Sequence, residues 1–172
     1  MPSLKILTLC GSIRKNSTNH SLLLALKNFF PQETQWNHFE IKQLPFFDPH
    51  LQFSQDLPSP VVDLRALARE SDSIIISTPE YAHSIPGILK NALEWLICEE
   101  TLKKKVIVLI ASPSGGEFVK EHLGETLRTM DLVTTPAMTL VIPDARNKID
   151  SDGQIKDDRL KANLQDFVAG IL

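Results

Sequence analysis

The chain has 172 residues, 42% of them apolar and 23% charged, with a formal net charge of −3 at pH 7. That size and balance fit one globular domain over residues 1–172 with a sizeable buried core, and the mild negative charge offers nothing to nucleic acid or to an anionic membrane. Two cysteines, Cys10 and Cys98, are too few for a disulfide framework and favour a reducing compartment, while the scattered histidines show no zinc-type spacing, so no metal site is expected.

The opening MPSLKILTLC contains an apolar run too short to span a membrane and lacks a small-residue cleavage pattern. A cytoplasmic location is expected. Residues 4–10 read as a buried strand and residues 19–30 as a helix that Pro31 stops. Residues 35–41 read as a second, more amphipathic strand. The proline-rich stretch 44–60 reads as a long ordered loop, followed by a helix over 61–69. SIIIS, residues 73–77, is a central strand. A helix is expected over 85–98, with Ser84 as its N-cap and Pro86 in its first turn. Strand 106–111, helix 117–130, strand 136–142 and helix 157–172 complete a βαβαβαβαβα order. Strands apolar on both faces imply an α/β fold, a parallel sheet covered by helices on each side. Ligands of such sheets lie beyond the carboxyl ends of the strands, so the loops after strands one, three and four are searched first.

The first of these, GSIRKNSTN over residues 11–19, runs from a strand into a helix. Such a loop can point backbone N–H groups and a helix dipole at an anion. Ser12, Ser17, Thr18 and Asn19 add side-chain donors and Arg14 adds a charge. There is no G-x-G-x-x-G and no G-K-[ST]. A phosphatase loop would need an arginine six residues after Cys10, where Asn16 stands; Arg14 comes only four residues after it. The plain alternative is helix capping. Capping needs one such residue, and this loop offers four or five.

The second loop, PEYAHSIPGILKNALEW from Pro79 to Trp95, follows strand three. Tyr81, the only tyrosine, can either lie against a planar ring or simply pack its loop onto the domain. Taken together, GSIRKNS and PEYAHSIPGILKNALEW resemble the NAD(P)H-dependent FMN reductase family of flavodoxin-like proteins, which includes quinone, azo-dye and chromate reductases. Its pattern is GSxRxxSxN after strand one and PEYNxSxPGxLKNAxDW after strand three. The resemblance spans nearly the whole chain. It implies a three-layer sandwich with a five-stranded parallel sheet of order 2-1-3-4-5. It also implies that Ser12, Arg14, Ser17, Thr18 and Asn19 hold an FMN phosphate, and that Pro79, Glu80, Tyr81 and Ala82 line the isoalloxazine edge. The helix carrying Lys90, Asn91, Glu94 and Trp95 would lie at a subunit interface of a homodimer or homotetramer. Ala82 departs from the family's usual asparagine.

The third loop, SPSGG, supplies Ser112, Ser114, Gly115 and Gly116. The glycines permit close backbone approach near a helix start; an ordinary tight turn is the plain reading. Relatives carry G-x-x-G-G here, with Ser112 replacing the first glycine. Residues 103–105 read as a solvated turn, Cys98 as a packing residue on its helix, and residues 144–150, by resemblance, as a loop near the flavin rim of a neighbouring subunit.

The expected reaction is hydride transfer from NAD(P)H, the co-substrate, through FMN to a flavin, quinone or similar small acceptor. FMN supplies the chemistry and the protein the positioning; no residue is assigned as acid or base. The competing readings are an electron-transfer flavodoxin that does not oxidise NAD(P)H, and a flavodoxin-like module that has lost its cofactor and acts through protein contacts.

Overall fold

A computed structural model describes residues 3–113 and 115–172. Strands β1 (Lys5–Cys10), β2 (Gln35–Phe39), β3 (Ser73–Thr78), β4 (Lys105–Ile110) and β5 (Thr139–Val141) form one sheet of order β2-β1-β3-β4-β5, and every pairing is parallel. Helices α1 (Thr18–Leu26), α2 (Ser59–Glu70), α3 (Gly87–Trp95), α4 (Glu117–Thr129), α5 (Ala145–Lys148) and α6 (Asp158–Ile171) connect or follow the strands. The expected order and element sequence are those observed.

The period-two geometry of the strands divides the core into two layers. Leu7, Leu9, Ile74, Ile76, Val106, Val108 and Ile110 meet the buried faces of α2, α3 and α4. Ile6, Cys10, Ile75, Ile107, Leu109 and Ala111 meet α1 and α6. The chain therefore leaves β1 for one edge of the sheet and returns to β3 on its other side. That reversal opens a crevice at the carboxyl ends of β1 and β3. Gly11 lets the two ends close on each other: a Cβ there would meet Thr78 Oγ1 at 2.6 Å and Leu89 Cδ2 at 3.1 Å.

Several boundaries differ from the sequence reading. Helix α2 begins at Ser59, with Pro60 in its first turn, where a missing N–H costs nothing. Helix α3 begins at Gly87 with Pro86 as N-cap, so Ser84 is not the cap, and Cys98 lies beyond the helix in extended conformation. Residues 136–138 form a 3-10 turn, which shortens β5. Lys103 and Lys104 are not merely solvated: Lys103 pairs with Asp131, and Lys104 Nζ donates to the Ser71 carbonyl at 2.5 Å.

Candidate flavin and nucleotide site

A cavity of about 570 Å³ lies beyond the carboxyl ends of the strands. Ser12, Arg14, Ser17, Thr18 and Asn19 form one end, and Pro79, Tyr81, Ala111, Ser112 and Pro113 line it from the β3 and β4 loops. Asp144, Ala145, Arg146 and Asn147 complete it. The phosphate-loop candidates and two of the four ring-edge candidates, Pro79 and Tyr81, are thus brought together at the strand-order reversal.

The first loop turns tightly. Arg14 N donates to Ser12 Oγ at 3.4 Å, and Asn16 has φ 58°. Ser17 is the N-cap of α1 by backbone conformation, yet its hydroxyl makes no capping hydrogen bond. No acidic residue occupies the first turn of α1. Arg14 is exposed beside it. A helix start with unused donors, an uncapped hydroxyl, a guanidinium and no carboxylate suits a phosphate group. The capping alternative is not what Ser17 does. Cys10 sits beneath this loop with its thiol donating to the Ser12 carbonyl at 3.3 Å. Burial pushes that thiol above its ordinary pKa, the opposite of what a phosphatase nucleophile requires.

Asn19 has a structural role of its own. It borders the cavity, but its side chain is buried and spent on the protein. Asn19 Nδ2 donates to the Ala111 carbonyl at 3.3 Å and Oδ1 accepts from Ser77 Oγ at 3.0 Å. It ties α1 to β3 and β4.

The second loop forms a tight turn in which Tyr81 and Ser84 exchange both backbone hydrogen bonds, at 3.1 and 3.0 Å. Ala82 and His83 both have positive φ, 49° and 55°, the geometry of a type I′ turn. Helix α4 holds the turn in place: His83 stacks on Phe118 with centroids 4.3 Å apart, and Ser84 Oγ hydrogen-bonds His122 Nδ1 at 3.1 Å. Tyr81 projects half-exposed beside the cavity. The Glu80 side chain does not face the cavity, which leaves its backbone as the part of the residue that the ring-edge expectation concerns. Its carboxylate is turned inward and accepts from Val119 N at 3.1 Å, satisfying an unpaired donor in the first turn of α4. Neither the Glu80 side chain nor Ala82 lines the cavity.

In the third loop Ser112 is buried at the wall, and Ser114 lies outside the described residues. Gly115 and Gly116 do not line the cavity; they turn the chain into α4 at φ 94° and 87°. At Gly116 a Cβ would meet Ile110 Cγ2 at 2.4 Å, so its lack of a side chain serves strand–helix packing. The segment 144–147 borders the cavity of its own chain. Its signal in the sequence is its place after the fifth strand, where the same carboxyl-end rule applies. Asn91 and Trp95 likewise turn inward. Asn91 Oδ1 accepts from Phe47 N at 2.8 Å, and Trp95 Nε1 donates to the Pro45 carbonyl at 2.9 Å, pinning the proline-rich loop to α3.

A family model described as NADPH-dependent FMN reductase matches residues 4–147. The chain belongs to the NADPH-dependent FMN reductase family. It is 30% identical over 175 residues to a quinone reductase of Escherichia coli (strain K12), covering 95% of this chain and 93% of that one. It is also 30% identical over 172 residues to an NAD(P)H:quinone oxidoreductase of Solanum tuberosum, covering 95% and 89%. Among solved structures, the flavoenzyme NAD(P)H:(acceptor) oxidoreductase FerB of Paracoccus denitrificans superposes with a TM-score of 0.81 at 26% identity, covering 96% and 93% of the two chains. An archaeal flavodoxin, with a TM-score of 0.62 at 10% identity, shares the fold. This FMN reductase family member is an oxidoreductase that uses FMN and NAD(P)H, and the electron-carrier alternative falls. Among the described residues no helix is long and apolar enough to cross a membrane, and no cluster suits a metal ion.

Proposed function

We propose that this chain, as one flavin-binding unit, passes reducing equivalents from NAD(P)H to a quinone or similar planar acceptor, with FMN seated in the cavity of about 570 Å³. The observation that carries the reading is the pairing, within one cavity, of an anion-ready helix start at Arg14 and Ser17 with a wall formed by Pro79 and Tyr81. FMN supplies the two-electron chemistry when bound.

In this reading Arg14, Ser12, Ser17 and Thr18 hold the phosphate through charge-assisted hydrogen bonds and the α1 dipole. Pro79, Tyr81 and Ser112 bound the ring, and the half-exposed Tyr81 offers one wall to a second planar molecule. No side chain is assigned as acid or base; orientation and exclusion of water are what the protein contributes. One slot serves donor and acceptor in turn. Support for a homo-oligomer comes from large apolar side chains left in solvent on the loop pinned to α3 and just past that helix: Phe46, Phe53 and Ile97 are 94%, 81% and 41% exposed. The cytoplasm fits the reduced cysteines.

The test is a titration of purified protein with FMN, followed by steady-state oxidation of NADPH with benzoquinone. A flavin spectrum perturbed on binding and parallel double-reciprocal lines are expected. A protein that leaves FMN unbound overturns the reading, and intersecting lines overturn the shared slot.

A further inference from the structure

A second cavity, about 420 Å³, opens directly beside the first. The two share Arg14, Thr18 and Arg146. Beyond these, the second is lined by Lys15, Asn16, Ser21, Ile149, Asp150, Ser151 and Lys156. Arg14, Lys15, Arg146 and Lys156 thus converge on one hollow in a chain whose formal net charge is −3. Among the described residues none of the four is ion-paired. The one carboxylate in the lining, Asp150, already accepts at Oδ1 from Asp152 N at 3.0 Å and Gln154 N at 2.9 Å, which offsets its charge locally.

Unpaired cations gathered around a concavity cost self-repulsion unless an anion joins them. From this we infer that the second cavity takes the adenosine 2′-phosphate end of NADPH and so sets a preference for NADPH over NADH. The inference rests on the reading of the first cavity as the FMN and nicotinamide site. An extended dinucleotide with its nicotinamide near Tyr81 passes over Arg146 and Arg14 into the basic hollow. A phosphate monoester carries a charge of about −1.5 to −2 at pH 7; NADH presents only a hydroxyl there. The Arg146 guanidinium can also lie flat against an adenine.

Lys15 and Lys156 line the second cavity and not the first, so a Lys15→Gln/Lys156→Gln variant separates the two. The binding of 2′,5′-ADP and of 5′-AMP to FMN-loaded protein is measured by calorimetry, beside the FMN Kd and the KM values for NADPH and NADH. Wild type is expected to bind 2′,5′-ADP more tightly than 5′-AMP, with an affinity that falls as salt rises. The variant is expected to lose about tenfold in 2′,5′-ADP affinity and to show a KM for NADPH about tenfold higher, with FMN and NADH values within about twofold. Equal binding of the two nucleotides by wild type overturns the inference, as does a parallel loss for NADPH and NADH. A matching loss of FMN affinity overturns it too, by making this hollow part of the flavin phosphate site. If wild type oxidises neither nucleotide yet binds 2′,5′-ADP through these lysines, the functional reading fails and the phosphate site stands.

Discussion

Ser77 Oγ donates to Asn19 Oδ1 at 3.0 Å, inside the protein, joining the end of β3 to the first turn of α1. The same amide reaches β4 through Ala111 O. One side chain therefore fixes where the phosphate-loop helix starts relative to two strand ends. Removing it leaves a buried hydroxyl and a carbonyl short of a partner, at about 1–3 kcal/mol. Asn19→Ala is expected to lower the unfolding free energy by that amount, read as a lower urea midpoint at unchanged m-value, and to weaken FMN binding through displacement of the loop. A variant with wild-type stability and reduced FMN affinity would instead mean that Asn19 contacts the phosphate itself.

Gly115 and Gly116 separate conformational need from steric need. Both have positive φ, but open space surrounds a Cβ on Gly115, whereas one on Gly116 collides with Ile110 in the core. Gly115→Ala is expected to cost about 1 kcal/mol, the penalty for a left-handed residue. Gly116→Ala adds overpacking of about 1–3 kcal/mol to the same penalty. Chemical denaturation of the two variants checks the order; equal losses would mean that Ile110 yields freely.

The strands were readable because β1, β3 and β4 are apolar on both faces, and the loop–helix junctions because glycine, serine and proline punctuate them. The direction in which a polar side chain points is another matter. Asn19 and Glu80 carry the same donors and acceptors whether they face a ligand or the interior, and tertiary packing alone turned them inward. Asn91 and Trp95 are similar: the KNALEW pattern looks like a surface for a partner and is in part a clamp on Pro45 and Phe47. Segment 144–147 carries no motif, so only its position after β5 marks it. Neither Ala82 nor His83 advertises a left-handed backbone, which is why Ser84 reads as a helix cap from sequence and proves to close a turn.

Ala82 is exposed and held at φ 49°. An alanine there costs about 1–2 kcal/mol relative to ordinary backbone, and asparagine tolerates the region far better. Ala82→Asn restores the residue of the family pattern and is expected to raise stability by about 0.5–1 kcal/mol, read as a higher urea midpoint at unchanged m-value. Ala82→Pro, whose ring fixes φ near −65°, is expected to break the turn and with it the Tyr81 wall. No gain from asparagine would show that the turn relaxes out of the left-handed region.

Cys10 supplies the pH dependence. Burial raises the thiol pKa, and hydrogen bonds at Ser12 and Ser17 offset this only in part; burial raises Cys98 as well. With the folded pKa above the unfolded value, near 8.5, the folded chain holds the proton more tightly. The resulting stability is complete below that pH and is lost as pH rises through the unfolded and then the folded value. The stability of wild type in urea melts should therefore fall, as pH rises above about 8.5, more steeply than that of Cys10→Ala, in which the group is gone. Two parallel slopes would remove Cys10 as a cause. The same neutral thiol should resist iodoacetamide at pH 7 and leave p-nitrophenyl phosphate unhydrolysed, because a thiolate is the species that attacks and no arginine stands at position 16 to clamp the phosphate.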